Sequence, residues 1–471
     1  MHTLISPLRE CMRFSSTTWI SVAGSLLLIL STVTPLLAQT DLGSPYSVFG
    51  PGLPMQRASI HHASMGGAGA ALSDPYRLNL INPAASAFHM DPVFEMGGIG
   101  SLSTFSSSEA SFENESFMLN NLSLAFPIKR GTWNFNLGLV PLTRVSYDFV
   151  SIDENPDMGR ARSEYRGNGG ISQLYIGSAY RLYYRSDTAG NFNTLSFGGQ
   201  MNFNFGPINN VRRISFPDEP TALGLTVRES YLVRDFSWEI GAQYQTFLIK
   251  KNLSQPRSLK LQFGAVYRLE SNLRTELSNY VYNWRPTSQG GESPRDTLFA
   301  TTLSGGNVQM PSTIILGVAL DFIGNKRQRL RMAFDYSMQN WSSYAEDFPG
   351  VQRRFSYADA EGVALGFEFT PNMGSSRVLQ RIDYRVGVRA ERTGVLVGDN
   401  QIEDYGISFG LSLPVNMRRN LTRSRFSIGA EYGSFGTVEN GLIREDYVRF
   451  MAGFVLTPHF RNLWFVQPKY D

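Results

Sequence analysis

Apolar and polar residues alternate one by one along most of the chain after Val93. The alternation is clearest over residues 195–205, 259–269 and 330–338, where aliphatic and aromatic side chains take every second position. A period of two places successive side chains on opposite faces of a β-strand. The intervening positions hold amides, charged groups and glycines, so each strand has one apolar face and one polar face. The pattern predicts an all-β protein.

About fourteen segments of this kind follow one another along the chain. Each is long enough for the roughly 9–11 residues that a tilted strand needs to cross a bilayer. The predicted strands are residues 93–104, 116–127, 131–142, 171–184, 193–206, 237–250, 257–269, 312–322, 328–339, 361–370, 381–392, 403–413, 424–434 and 446–457.

The connections between these segments are sorted by length. Long ones follow the third, fifth, seventh and ninth strands, over residues 143–170, 207–236, 270–311 and 340–360, and short ones follow the even strands. Outer-membrane barrels have long loops outside the cell and tight turns on the periplasmic side. A soluble β-sandwich has no reason to sort its loops in this way. We therefore expect a transmembrane antiparallel β-barrel of about 14 strands, in contact with outer-membrane lipid.

Composition and the N-terminus add a cellular context. Of the 471 residues 18% are charged, and the net charge of +3 is too small to indicate a nucleic-acid partner. Arg9 and Arg13 precede an apolar stretch over residues 19–37, which predicts a signal peptide, residues 1–38, cleaved after Ala38. A single membrane anchor is the alternative. The only cysteine, Cys11, lies in this region, so the mature chain would contain no disulfide.

The segment between the predicted signal peptide and the first strand does not alternate. Small residues dominate positions 63–74, and Asn82-Pro83-Ala84 follows shortly before the strands begin. A glycine- and alanine-rich stretch, an aspartate and then Asn-Pro-Ala before fourteen strands resembles the FadL/TodX family. Members of that family are outer-membrane channels for hydrophobic compounds. The resemblance implies that residues 39–91 fold into the barrel as an N-terminal hatch and that residues 92–471 form the barrel. The even number of strands and the alternation of long and short connections predict that both termini are periplasmic.

Physical reasoning agrees with a hatch in the lumen. About eight strands already enclose a lumen that wall side chains can fill, so fourteen leave space for a further element. Small residues permit close backbone packing, and short Asp and Asn side chains bond to nearby backbone. A flexible linker is the alternative. The predicted hatch motif comprises Gly66, Gly67, Gly69, Asp74, Asn82, Pro83 and Ala84.

The third predicted strand contains two residues suited to an interruption of the wall. Gly138 tolerates a bulge, and Pro141 cannot donate to a strand ladder. In the resembled family the ligand leaves sideways through a break in the third strand, so Gly138 and Pro141 are candidates for a lateral opening. The alternative is that Pro141 simply ends the strand at the rim.

Aromatic residues in the long connections are candidate contacts for a ligand or a partner protein, namely Trp284, Phe299, Trp341 and Phe348. Inward-facing charges of both signs are expected to form ion pairs with the hatch and the opposite wall.

No catalytic chemistry is predicted. Residues 406–410 match the G-x-S-x-G pattern, but they lie inside an alternating strand rather than at a strand-to-helix elbow. His61 and His62 have no further Cys or His partners at metal-binding spacing. We therefore expect no enzyme activity, no metal and no cofactor.

Two functions remain. The first is passive uptake of hydrophobic small molecules, fatty-acid-like or aromatic, through a barrel gated by its hatch. The second is a non-transporting barrel that acts as a subunit or scaffold of an outer-membrane secretion or assembly complex with other envelope proteins. An open general porin is disfavoured because the hatch would block it.

Overall fold

The computed structural model describes residues 43–458, except 109, 156–158, 187–191, 220, 251–256, 288–290, 354–355 and 416–422. The predicted signal peptide, residues 1–38, and the first predicted hatch residues, 39–42, lie outside this part. The described strands are β1 (Leu53–Pro54), β2 (Val93–Ser106), β3 (Ser111–Lys129), β4 (Trp133–Pro141), β5 (Thr143–Asn155), β6 (Gly159–Gly169), β7 (Ser172–Ser186), β8 (Phe192–Ser215), β9 (Gly224–Ile249), β10 (Ser258–Arg268), β11 (Ser271–Pro286), β12 (Glu292–Met310), β13 (Thr313–Ile323), β14 (Arg329–Gln339), β15 (Ala345–Phe348), β16 (Val351–Arg353), β17 (Ala360–Thr370), β18 (Asp383–Val397), β19 (Asn400–Pro414), β20 (Arg425–Phe435) and β21 (Arg444–Leu456).

Helical structure is sparse in the described residues. The two short α-helices are α1 (Ile60–Ala63) and α2 (Val378–Arg381), and 3₁₀ turns span Pro45–Val48, Pro83–Phe88, Trp341–Ser343 and Glu439–Gly441. Within the described part of the chain, no helix has the length and apolar character that crossing a membrane requires.

Fourteen strands close into an antiparallel barrel. The order around the wall is β2, β3, β4, β7, β8, β9, β10, β13, β14, β17, β18, β19, β20 and β21, and β21 pairs with β2 again. Each wall strand corresponds to one predicted segment, so the predicted fold class is confirmed.

The two faces of the wall are sorted by polarity, with the apolar face outside. Phe197 and Phe263 are exposed on the outer surface, whereas Gln200, Gln262 and Asp335 are buried on the inner side. This arrangement is the inverse of a soluble protein and suits a barrel surrounded by lipid.

The predicted long loops contain strands of their own. The pairing sequence β5–β6–β8–β9–β11–β12–β15–β16 forms an outer sheet that extends beyond the wall at the long-connection end. The inner face of this sheet carries buried residues such as Tyr147, Tyr231 and Phe348, which pack together over the barrel mouth. Because both faces of these segments mix polar with apolar residues, alternation alone did not reveal them.

Residues 43–92, which we call the lumen segment, run through the barrel from end to end. At the long-connection end the Gly43 amide donates to the Ser146 carbonyl (3.1 Å), and at the short-turn end the Gly131 amide donates to the His89 carbonyl (2.8 Å). The last wall strand ends at Leu456, beside Phe94 at the short-turn end. Both termini are expected in the periplasm, and the terminal residues lie outside the part of the chain that the structure describes.

Candidate functional site

A belt of glycines on the inner wall lets the lumen segment approach the barrel backbone closely. A Cβ atom added to Gly198, for example, would lie 2.5 Å from the Ala84 nitrogen, and every other member would collide with the lumen segment in a similar way. Only glycine permits the lumen segment to approach the wall backbone so closely at these positions. The belt has one glycine on each of ten wall strands: Gly97, Gly198, Gly241, Gly264, Gly317, Gly366, Gly387, Gly410, Gly429 and Gly453.

The glycines of the predicted hatch motif shape the lumen segment where it meets the wall. Gly66 and Gly67 have positive φ angles of 68° and 86°, a conformation that favours glycine. The Gly66 amide donates to the Ser408 hydroxyl (2.8 Å), and the Gly69 amide donates to the Asp335 carboxylate (2.7 Å). The motif therefore turns the chain sharply and fixes it to two wall strands.

Asn82 holds the second half of the motif. Its side-chain amide donates to the Ala70 carbonyl (2.8 Å) and to the Ala242 carbonyl on β9 (3.1 Å). Its carbonyl oxygen accepts the Ala84 amide (3.0 Å) and so caps the 3₁₀ turn that begins at Pro83. Asn82 and Ala84 have no exposed surface. Asn-Pro-Ala thus starts a turn and attaches it to the wall.

Buried ion pairs bind the lumen segment at the short-turn end. The Glu368 carboxylate accepts hydrogen bonds from Arg77 of the lumen segment (2.9 Å) and from Arg385 (2.7 Å), and it forms an ion pair with Arg331 (2.7 Å). Arg331 also contacts Asp74 (3.0 Å). A buried charge is tolerated when opposite charges and hydrogen bonds surround it. The structure thus contains the predicted ion pairs between inward-facing charges of the wall and residues of the lumen segment.

The histidines of α1 are packed rather than reactive. The Ser59 hydroxyl lies 2.9 Å from His61 Nδ1 and 3.0 Å from His62 Nδ1. Burial lowers the pKa of His61 well below its usual value, and burial together with nearby Arg331 lowers the pKa of His62 to about 3. Both rings are therefore neutral. Among the described residues no group of three His, Cys, Asp or Glu side chains is placed to hold a metal ion.

Above the belt, the lumen contains a cavity of about 310 Å³ that opens towards the long-connection end. Ile99, Ile315 and Trp341 supply apolar lining. Arg389 and Glu431 also line it, but their side chains pair with each other at 2.8 Å. The cavity therefore combines apolar side chains with charged side chains of both signs, which also include Arg57, Arg144, Arg268, Asp335, Glu391, Asp404, Glu445 and Arg449.

The wall beside this cavity is incomplete. The ladder between β3 and β4 ends at the pair Leu122–Leu139, although β3 continues to Ser111 at its outer end. The chain after β4 enters β5, which pairs with β6 and with β1 of the lumen segment instead of β3. Among the described residues, therefore, no strand pairs with the outer half of β3 on that side.

Side chains on both sides of this wall gap, between the outer half of β3 and the start of β5, reach the cavity. Met118 of β3 and Arg144 of β5 both line it, and their Sδ and Nη1 atoms are 3.9 Å apart. The neighbouring Phe117 points the other way and is 72% exposed on the lipid-facing side. The cavity is thus separated from the outer surface by a few side chains rather than by a hydrogen-bonded wall.

The two candidate residues for the lateral opening differ in their surroundings. Gly138 is paired on both sides, with Ser123 of β3 and Tyr175 of β7. Pro141 is paired only with Ser172 of β7. The structure therefore brings Pro141 to the lower edge of the wall gap and leaves Gly138 within the intact ladder.

The four aromatic residues predicted as ligand or partner contacts are not brought together. Trp341 lines the cavity. Phe348 is buried in the aromatic cluster over the mouth, and Trp284 is buried on the outward side of the outer sheet beneath Arg213. Phe299 is exposed on β12.

Sequence reasoning missed the glycine belt, although a signal was present. An inward-facing glycine between two apolar residues recurs in strand after strand, as in Phe263-Gly264-Ala265 and Phe409-Gly410-Leu411. A repeated small residue at the same depth of each strand indicates a close backbone approach.

The comparison with protein families identifies the relationship. Residues 23–471 match the family model described as BamG. The chain belongs to the BamG family. No curated protein sequence matches it significantly.

Solved structures similar to this BamG-family chain share its architecture at low sequence identity. The toluene transporter TbuX of Ralstonia pickettii is 13% identical with a TM-score of 0.54, covering 86% of this chain and 99% of its own. The toluene transporter TodX of P. putida is 15% identical with a TM-score of 0.53 and the same coverage. A FadL homologue of Pseudomonas aeruginosa is 12% identical with a TM-score of 0.52, covering 87% and 100%. The predicted FadL/TodX-type fold is confirmed.

Proposed function

We propose that this protein is an outer-membrane conduit that receives a hydrophobic small molecule at its mouth and releases it sideways into the bilayer. The outer membrane of a Gram-negative bacterium is its proposed location, with the long-connection end outside the cell. Residues 39–91 are the proposed hatch, and residues 92–471 are the proposed barrel. The named transporters of similar fold support a channel role.

The observation that carries the proposal is the wall gap beside the cavity. A straight path through the barrel is filled by the lumen segment, which the glycine belt and the Glu368 ion pairs hold against the wall. Within the part of the chain that the structure describes, the outer half of β3 has no paired strand on one side, and Met118 faces the cavity there. A ligand in the cavity has a shorter and less obstructed route through this side than through the hatch.

Trp341 provides a direct test of ligand binding. It lines the cavity and is 4% exposed, whereas Trp133 and Trp238 face outward. A brominated toluene and a brominated fatty acid, titrated into the purified protein in detergent, should quench Trp341 fluorescence with a saturable dependence on concentration. The Trp341→Phe variant separates this signal from quenching of the outward tryptophans. Quenching that never saturates, and that is equal in the variant, would contradict the proposal.

A scaffold function is the second candidate, and the outer sheet favours it. Ile152, Leu298 and Phe299 are each more than half exposed on strands that project beyond the wall. Exposed apolar side chains above the lipid region are suited to contact another protein. Native mass spectrometry of gently extracted outer membrane would support this function if a stoichiometric envelope-protein complex dissociates on Leu298→Ser and Phe299→Ser substitution.

A further inference from the structure

The outward face of the outer sheet carries a polar site that neither candidate function uses. Outward residues of β8 are apolar in the wall, as at Phe203 and Phe205. Further along the same strand and the same face they become Asn209, Val211 and Arg213. The change of polarity follows the expected boundary between the lipid core and the headgroup layer.

A cavity of about 250 Å³ lies on this outward face. It spans five neighbouring strands, from β6 to β12. Its lining contains three arginines, two glutamates and two asparagines, so hydrogen-bond donors outnumber acceptors and the formal charge is positive. The lining residues are Glu164, Arg166, Asn168, Asn209, Val211, Arg213, Thr226, Arg228, Tyr282 and Glu292.

Two of the three arginines of this outward cavity, Arg166 and Arg213, are held in place by neighbouring side chains. The Arg213 guanidinium lies 4.1 Å from the centre of the buried Trp284 ring, and its Nε atom is 3.0 Å from Glu292. Arg166 Nε is 3.0 Å from Asp148. A fixed planar guanidinium loses less conformational entropy when it binds phosphate or carboxylate in a bidentate way. The site is therefore organised before any ligand arrives.

We propose that the outward cavity binds the phosphorylated sugar headgroup of an outer-leaflet glycolipid. Three arginines match the negative charge of the phosphate, while Asn168, Asn209 and the glutamates can bond to sugar hydroxyls. The acyl chains of the same lipid would lie along the apolar outer wall near Phe203. This inference rests on the proposed outer-membrane location but not on transport.

The test is binding of purified rough lipopolysaccharide to the full chain in detergent, measured by native mass spectrometry. The double variant Arg166→Ala with Arg228→Ala removes two charges from the outward cavity and leaves the Arg213–Trp284 contact intact. We expect at least about a tenfold loss of glycolipid affinity, because a hydrogen bond to a charged group contributes about 1.5–3 kcal/mol. Arg392→Ala is the matched control, since Arg392 is an exposed arginine paired with Glu403 (3.2 Å), away from this site.

Two further arms make the result decisive. Phosphatidylglycerol and a water-soluble sugar phosphate should bind at least tenfold more weakly than the glycolipid in the parent protein. Unchanged glycolipid binding in the double variant, or equal binding and equal loss with phosphatidylglycerol, would overturn the proposal. An unchanged urea unfolding midpoint in the same variant confirms that it is folded without relying on ligand binding in the lumen cavity, so a failure here is distinct from a failure of the conduit proposal. Arg228→Gln provides a milder variant if the double variant does not fold.

Discussion

The two halves of the lumen differ in how they are filled. At the short-turn end the lumen segment is packed against wall glycines, and Arg77 is buried among carboxylates of β17 and β18. At the long-connection end there is a cavity, and among the described residues no strand pairs with the outer half of β3 on one side. The same alternating pattern builds both halves, so the difference comes from what occupies the lumen. The proposed route for a ligand therefore leads through the wall at the mouth and not through the lumen segment.

Removing the charge of Glu368 should cause the largest loss of stability, because its ion pairs hold the lumen segment at the short-turn end. Glu368→Gln leaves Arg77, Arg331 and Arg385 without their shared carboxylate, although Asp74 and Asp383 still contact some of them. We expect a loss of about 3 kcal/mol in the free energy of unfolding, near the lower end for broken buried ion pairs. Urea titration of the protein in detergent measures it.

A matched substitution on the surface provides the control for Glu368. Glu403→Gln removes an exposed carboxylate that pairs with Arg392 (3.2 Å), and it should change stability by less than about 1 kcal/mol. Equal effects of the two substitutions would show that the buried ion pairs do not hold the lumen segment.

Adjacent glycines on β8 test the belt. Gly198→Val would drive a side chain into Pro83 and Ala84, whereas Gly199 faces outward and has no atom within 4 Å of an added Cβ. We expect Gly198→Val to cost roughly 1–3 kcal/mol, as overpacking does, and to expose the lumen segment to protease. Gly199→Val should leave proteolysis unchanged. Similar proteolysis of both variants would contradict a close fit between segment and wall.

Acidic pH should destabilise the packing of the lumen segment by less than the Glu368→Gln substitution does. The pKa of buried His62 is about 3, against about 6.5 in an unfolded chain, so the unfolded state binds more protons between these values. The contribution of His62 is complete above pH 6.5 and falls as the pH falls, by about 2 kcal/mol at pH 5. Hydrogen exchange at the Gly66–Gly69 amides, corrected for intrinsic rates, should therefore accelerate at pH 5 relative to strand amides. His62→Gln should weaken this pH dependence of exchange. An unchanged pH dependence in the variant would show that groups other than His62 cause it.

The fold was predictable because one physical pattern repeats in every wall strand. Alternation located all fourteen strands, but it failed in the outer sheet, where segments such as β12 are exposed on both faces. The small residues of the predicted hatch motif stood out in the sequence, but the wall residues that they contact could not be predicted. Asp74 meets Arg331, 257 positions further along the chain, and no local signal encodes that pairing. The wall gap depends on where β5 turns after Pro141, which the sequence of β4 alone does not specify.

The most direct test of lateral release is a reducible cross-link across the wall gap. Met118→Cys with Arg144→Cys places one thiol on each side of the gap, and the chain has only one native cysteine, Cys11, in the predicted signal peptide. Because the native side chains meet through their terminal atoms (3.9 Å), two cysteines are too short to reach each other, and a bis-methanethiosulfonate reagent joins them through two disulfides. Transfer of a fluorescent fatty acid into the bilayer of protein-containing vesicles is then followed before and after reduction. Lateral release predicts at least about tenfold slower transfer in the cross-linked protein and recovery on reduction. Equally fast transfer in the cross-linked and reduced forms, with the cross-link confirmed by mass, would contradict it.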